Sequence, residues 1–294
     1  MATLTQDAPL GDETSASHWR QRVDRAFSRA APHYRQLARA QLAMAQSLLD
    51  DLPPRHAQAR QNTVNDHEPV QNVLDLGCGP GDLTWQMCDR YPNAQVIGLD
   101  LSLAMLAEAR RHAARPDDSR PCSARASSPV WLKADAQSLP LATASIDLLV
   151  SNLAIQWCPD LAQVLANVHR VLRPGGRAVI NTLLPGTLHE VASAWQRPGH
   201  SSGVLVFPSL AQHQQRVDQS PWQDAVLRPR EVTFHYPDIH AVMASIKGVG
   251  AQVARPGAGL TRRELAQAKQ RYERLRTPQG LPVTYHQLTL VLTR

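Results

Sequence analysis

Cysteine is scarce in this chain: Cys78, Cys88, Cys122 and Cys158 are the only four in 294 residues, far apart and in no paired motif. That excludes a disulfide framework and a cysteine zinc site, and fits a reducing compartment. No histidine falls in a His-x-x-x-His or mixed His/Cys spacing, so no metal role follows for any of the twelve. Apolar runs long enough to span a membrane are missing. Met1 to Ser17 is polar and mildly acidic with no apolar h-region, unlike a secretory signal. A soluble, cytoplasmic protein is expected. Acids are scarce in two further places. Trp19 to Gln41 carries six arginines against the single acid Asp24, and Arg262 to Arg276 carries six bases against Glu264 and Glu273.

What is present suffices for a sizeable core, with 43% hydrophobic residues, enough for one large domain or two small ones. Net charge is +6 and the sequence pI is near 9.5. The two basic stripes suit an acidic partner, and also suit plain solvated helix faces.

Residues 1–17 read as disordered. Helices are expected over about 18–31 and 33–51, broken near Pro32, with an apolar stripe at Leu37, Leu42, Ala45, Leu48 and Leu49. Residues 18–52 would then lie outside the sheet and cover the site, with 53–69 as a proline-flanked linker. From Asn72 strands and helices alternate, which predicts a parallel sheet with helices on both faces over a domain of 70–294. Strands are expected at 72–76, 95–99, 130–133, 146–150 and 177–183, with helices at about 82–91, 103–114 and 160–172. A surface insertion is expected at 115–129, and a turn at Pro174-Gly175-Gly176. Beyond strand five the pattern loosens into helical insertions at about 187–230 and 238–280. Strands are expected at 231–236 and 283–292, and 262–276 reads as a helix.

Val73-Leu74-Asp75-Leu76-Gly77-Cys78-Gly79-Pro80-Gly81 joins the first strand to the first helix of this domain. Glycine serves where a chain takes positive φ or a ligand lies against bare backbone. A dinucleotide fingerprint would place its third glycine at position 82, where Asp82 stands, and there is no Lys-Ser/Thr for a phosphate cradle. Asp75, Asp100 and Asp135 fall at the ends of successive strands, where open α/β sheets bind ligands. Asp100 suits the two hydroxyls of a ribose, Asp135 an adenine amine, and Asp75 an ammonium group. Each acid alone also suits a helix cap or a turn. Together they describe a ligand with nucleoside and amino-acid ends, as S-adenosylmethionine has.

Val73 to Gly81, Gly98-Leu99-Asp100-Leu101-Ser102, Ala134-Asp135-Ala136 and Leu172-Arg173-Pro174-Gly175-Gly176 resemble the ordered motifs of class I S-adenosylmethionine-dependent methyltransferases. The resemblance implies a Rossmann-like, mostly parallel seven-stranded sheet with N-terminal helices and a helical lid. It implies cofactor contacts from Asp75, Gly77, Gly79, Gly81, Asp100, Leu101, Met105, Asp135, Ala136 and Asn152. The flanks add a narrower likeness. Phe27 to Tyr34, Ser151 to Cys158, Thr182 to Leu188, Ser245 to Ala251, Leu260 to Arg262 and Leu281 to His286 resemble the malonyl-[acyl-carrier protein] O-methyltransferases of biotin synthesis. This likeness departs at the insertions near 53–68 and 115–129 and is weak across 197–230.

Asn152 stands where such folds present the acceptor, in Ser-Asn-Leu-Ala rather than the Asn/Asp-Pro-Pro-aromatic signature of base methylation. That counts against DNA as substrate. The resemblance implies methylation of a malonyl carboxylate, which is ionised at neutral pH and needs no general base. Tyr34 and Asn152 are the candidate catalytic residues, with His33, Tyr285 and His286 weaker. Gln156 and Trp157 are candidate walls of the acceptor pocket. The partners implied are an acyl carrier protein docking on the basic helices, or malonyl-CoA, with no nucleic acid, no membrane and a monomeric state. Methylation of another small acid, a quinone precursor or RNA on the same scaffold, and a non-catalytic assembly role, are the competing readings.

Overall fold

The computed structural model describes residues 13–54, 70–113, 128–196, 204–250 and 261–294. The linker expected at 53–69 lies mostly outside these residues, as do nearly all of the insertion expected at 115–129 and the extreme N-terminus. Helix α1 (Glu13–Ala30) begins inside the stretch expected to be disordered. A 3₁₀ turn, Ala31–His33, carries Pro32 in its first positions, where a missing N–H costs nothing. Short α2 (Tyr34–Leu37) and α3 (Arg39–Leu49) follow.

The sheet begins with β1 (Asn72–Leu76), then α4 (Asp82–Arg90), β2 (Gln95–Asp100), α5 (Leu103–Ala113), β3 (Val130–Lys133) and β4 (Ile146–Asn152). Next come α6 (Leu161–Val171), β5 (Leu172–Leu183), α7 (His189–Trp195), α8 (Leu210–Val217) and β6 (Asp224–Tyr236). The chain closes with α9 (Ile239–Lys247), α10 (Arg262–Glu273) and β7 (Leu281–Thr293). The strand order is β3-β2-β1-β4-β5-β7-β6. β1 to β5 pair in parallel, while β7 lies antiparallel between β5 and β6. The expected seven-stranded, mostly parallel sheet is present.

Both faces of the sheet are covered, which is why β1 and β4 read as nearly unbroken apolar runs. Alternate side chains go to opposite faces. Leu74, Leu76 and Leu149 join α6 through Val164, Leu165 and Val168. Val73, Leu148 and Val150 join Leu83 and Met87 of α4 and Leu48 of α3. Each fully buried leucine contributes roughly 1.5–3 kcal/mol over exposure. A third cluster gathers α7, α9 and α10 around Val283 and Tyr285.

Two elements run past their expected ends. β6 starts at Asp224 rather than 231 because it is an edge strand paired only to β7. Pro229 is tolerated there, where one side of the backbone needs no partner. β5 starts at Leu172, so Pro174-Gly175-Gly176 is an irregularity within the strand, with a register shift opposite Ile146 and Leu148. Gly175 takes φ +77 and donates its N–H to the Arg294 carbonyl at 2.6 Å. Among the described residues no helix is long and apolar enough to cross a membrane, and no cluster of metal-ligating side chains is found.

Candidate active site

A cavity of about 840 Å³, counting its open mouth, lies at the carboxyl ends of β1, β2 and β4 beneath α1. The glycine loop forms its floor. Gly77 and Gly79 take φ +74 and +54, and the N–H groups of Gly77 and Cys78 are tied to the Leu99 carbonyl at 2.7 and 2.9 Å. A Cβ on Gly77 would stand 2.2 Å from that of Ala154, so the β4 loop closes directly on bare backbone. A Cβ on Gly79 would meet nothing within 4 Å.

Asp100 ends β2 with both oxygens held. Oδ2 accepts the Gly79 N–H at 2.9 Å and Oδ1 accepts that of Ser102 at 2.8 Å. Each carboxylate oxygen keeps a lone pair for a further donor, which suits a vicinal diol. Burial pushes the Asp100 carboxyl up to about 6, against the lowering effect of the Ser102 and Gly79 bonds and with a further rise from the charge of Asp24. Ser102 caps α5: its Oγ accepts the Met105 N–H at 3.3 Å. Leu101, Met105, Ala136 and Asn152 all line the cavity, as do Asp135, Gly77 and Gly79.

Asp75 and Gly81 are placed elsewhere. Asp75 sits within β1, 1% exposed, and its Oδ2 accepts the Thr84 hydroxyl at 2.6 Å behind the loop. Burial raises its carboxyl to about 7, with the Thr84 bond lowering and the charges of Asp100 and Asp82 raising it. It does not line the cavity, so any effect on an ammonium group acts through space. Gly81 shapes the loop: it caps α4 at φ +83, and a Cβ would stand 2.6 Å from the Trp131 ring.

Asp135 lines the cavity already engaged. Its Oδ2 accepts from Arg20 at 2.9 Å and its Oδ1 from the Gln137 N–H at 2.9 Å. Asn152 is likewise committed, donating to the Gln41 carbonyl at 3.0 Å and accepting from Asn181 Nδ2 at 3.1 Å. Asn181 also donates to the Met44 carbonyl and accepts from Thr289. The Asn152 amide therefore joins β4 and β5 to α3 at the cavity wall.

Tyr34 reaches the cavity from the start of α2. Burial, then the charges of Asp100 and Asp82, hold its phenol above the usual range, so it stays a neutral hydroxyl. Its neighbour Arg35 reaches Asp82 through two nitrogens at 2.8 and 2.9 Å, fixing the turn. Trp157 lines the cavity edge-on to Phe27, ring centres 5.4 Å apart, while its carbonyl accepts from Trp19 Nε1 at 2.8 Å. Gln156 and His33 do not line it. His33 is exposed, Tyr285 is buried edge-on to Phe234, and His286 Nε2 lies 3.6 Å from Glu231. None of these three lines the cavity, though Tyr285 is close enough to Tyr34 for that phenol to be, after burial, among the causes that raise its own.

Sequence reasoning missed four contributors. Arg20, Asp24 and Phe27 come from one face of α1, spaced as i, i+4 and i+7. Asp24 carried a signal, as the lone acid in its basic stretch. Leu153 lines the cavity at φ +55, a conformation costly for a side chain with a Cβ and common at functional sites. Nothing in its sequence announces that.

The sequence matches the family described as a methyltransferase domain over residues 74–180. It is 36% identical over 269 residues to the malonyl-[acyl-carrier protein] O-methyltransferase of Alcanivorax borkumensis, covering 91% of this chain and 84% of that one. To the protein of the same name from Hahella chejuensis it is 32% identical over 295 residues, covering 99% and 97%. Among solved structures, the YcgJ protein of Bacillus subtilis shares the fold with a TM-score of 0.54 at 16% identity, over 78% of this chain and 94% of that one.

Proposed function

The chain belongs to the malonyl-[acyl-carrier protein] O-methyltransferase family, and on that premise we propose that it methylates the free carboxylate of a malonyl thioester using S-adenosylmethionine, the opening step towards the pimeloyl moiety of biotin. The observation that carries this reading is the reach of the likeness: it covers 91% of the chain, well beyond residues 74–180 that a methyltransferase domain alone accounts for. The flanks that enclose the acceptor side are therefore shared too.

The residues present fit the cofactor. Asp100, held by two backbone N–H groups with lone pairs to spare, would take the ribose hydroxyls. Gly79, where a Cβ would meet nothing, offers uncovered backbone for the methionine end, with Gly77 beside it in the cavity lining. Asp135, Ala136, Leu101 and Met105 would surround the base. When bound, S-adenosylmethionine supplies an electrophilic sulfonium methyl. A malonyl carboxylate arrives ionised, so no protein group has to remove a proton. This agrees with the groups lining the cavity: the Tyr34 phenol is held neutral, and burial pushes the Cys158 thiol up to about 12. The protein's work is alignment and exclusion of water. Phe27, Trp157 and Leu153 wall the space, and Tyr34 donates a hydrogen bond to orient the acceptor.

A small acidic carrier protein would be steered by a basic rim. Arg20 and Arg35 are spent on Asp135 and Asp82, which leaves Arg25, Arg29 and Arg39 exposed on the leading helices, with Arg262, Arg263 and Arg274 on and beside α10. Incubation with methyl-labelled S-adenosylmethionine and malonyl-loaded carrier protein, with malonyl-CoA in parallel, tests the reading by mass. A methyl ester on the malonyl group is expected. Tight cofactor binding with no transfer to either thioester would refute it.

A further inference from the structure

Asp24 is the one acid among the six arginines of Trp19 to Gln41, and it lies on the face of α1 that lines the cavity. A directed chain of hydroxyls holds it there. Ser28 Oγ donates to Asp24 Oδ1 at 3.0 Å and is 2.8 Å from Ser102 Oγ. Ser28 has a single hydroxyl proton, so Ser102 is the donor in the second bond, while Ser102 Oγ itself accepts from the Met105 N–H. The chain fixes the Asp24 carboxylate against the start of α5, two residues after Asp100. Among the described residues no hydrogen bond reaches Asp24 Oδ2 and no cation pairs with it.

The other charged groups around this cavity are matched. Arg20 faces Asp135 at 2.9 Å, Arg35 faces Asp82 at 2.8 Å, and Tyr34 is a neutral phenol. Asp75 lies buried behind the loop. That leaves Asp24 from α1 and Asp100 from β2 as two unmatched carboxylates at one cavity. The charge of Asp24 is among the causes that raise Asp100, so the two repel across the cavity. A cation placed between them relieves that repulsion, and a neutral ligand does not.

Resting on the proposed function, we propose that Asp24 is a second cofactor-binding carboxylate, supplied by α1, which makes the closed site prefer the positively charged sulfonium cofactor to its neutral thioether product. Methyl transfer removes the sulfonium charge, so the attraction that the ligand adds to the protein bonds already seating α1 disappears as product forms. α1 thereby senses whether the methyl group has been delivered.

Titration calorimetry on the full chain, unaltered and Asp24→Asn, with S-adenosylmethionine and S-adenosylhomocysteine, tests this. One lost charge interaction at a half-buried carboxylate, screened in part by solvent at the cavity mouth, predicts at least about a tenfold rise in Kd for S-adenosylmethionine. The Kd for S-adenosylhomocysteine should change by less than about threefold, and Asp24→Glu should recover most of the preference. With Asp24 neutral, Asp100 ionises more readily, so the acid limb of cofactor binding should move to lower pH. Equal weakening of both ligands, with the fold intact by circular dichroism, would make Asp24 a helix-positioning residue and overturn the proposal, as would unchanged affinity for both. If the unaltered protein binds neither ligand, the proposed function fails as well, which separates that failure from one confined to Asp24.

Discussion

Arg20 Nη1 lies 2.9 Å from Asp135 Oδ2, joining the first described helix to the loop after β3 across 115 residues of chain. With the Trp19–Trp157 and Ser28–Ser102 bonds, it fastens α1 along the mouth of the cofactor cavity at three points.

Arg20 is 42% exposed in its side chain, so the pair should contribute little to global stability, on the order of 0–1 kcal/mol. Its effect should be local. Arg20→Ala is expected to leave the thermal midpoint nearly unchanged while speeding hydrogen exchange in α1 severalfold, with α6 exchange unaffected. Exchange measured by mass spectrometry on the cofactor-free protein checks this, and uniform speeding would show that α1 is not a separable flap.

Asp75 and Asp100 bind protons in the native state, at about 7 and about 6, that the unfolded chain releases near 3.8. Between about pH 4 and 7 the native state therefore holds more protons, and these two groups make stability fall as pH rises. Cofactor affinity should run the other way, weakening below about pH 6 as Asp100 protonates and ceases to be a full acceptor. Asp75→Asn keeps an acceptor for Thr84 and should raise the midpoint at pH 8 more than at pH 5. It should cost far less cofactor affinity than Asp100→Ala, for which a loss of about a hundredfold or more is expected, since two charge-assisted hydrogen bonds of about 1.5–3 kcal/mol each would go. Thermal melts and calorimetry at the two pH values decide the matter.

Two glycines of one loop should respond differently to alanine. At Gly77 the added methyl meets Ala154 at 2.2 Å and φ is +74, so the β4 loop must move. Gly77→Ala should destabilise by about 2 kcal/mol or more and abolish detectable cofactor binding. At Gly79 the methyl meets nothing, leaving a left-handed strain of about 1–2 kcal/mol. Gly79→Ala should fold normally and weaken binding by intruding on the ligand's space. Urea unfolding with a binding isotherm separates the two.

Reversing Arg25 and Arg29, both exposed on α1, should lower kcat/KM for malonyl-loaded carrier protein about tenfold at low salt, with the deficit shrinking as salt is added. Turnover of malonyl-CoA should fall by much less. Equal losses for the two thioesters would remove α1 as a docking surface.

The sequence by itself determined the layered sheet, because strands buried on both faces must be largely apolar and their helices must be amphipathic, as β1, β4 and α6 are. It also determined the cofactor class, because Gly77, Gly79 and Asp100 are residue types that a nucleoside site requires at the end of a strand. Tertiary structure alone decided which polar groups are free to meet a ligand. Asp75 looked like a ligand acid until Thr84, nine residues on, took its oxygen. Asn152 lines the cavity while Gln41 and Asn181 tie its amide to α3 and β5. Asp24, a lone acid in a basic stretch, became part of the cavity only when α1 folded over its mouth against Ser102, Asp135 and Trp157. Sequence spacing records local geometry, whereas the partners of a polar atom are set by contacts between distant segments.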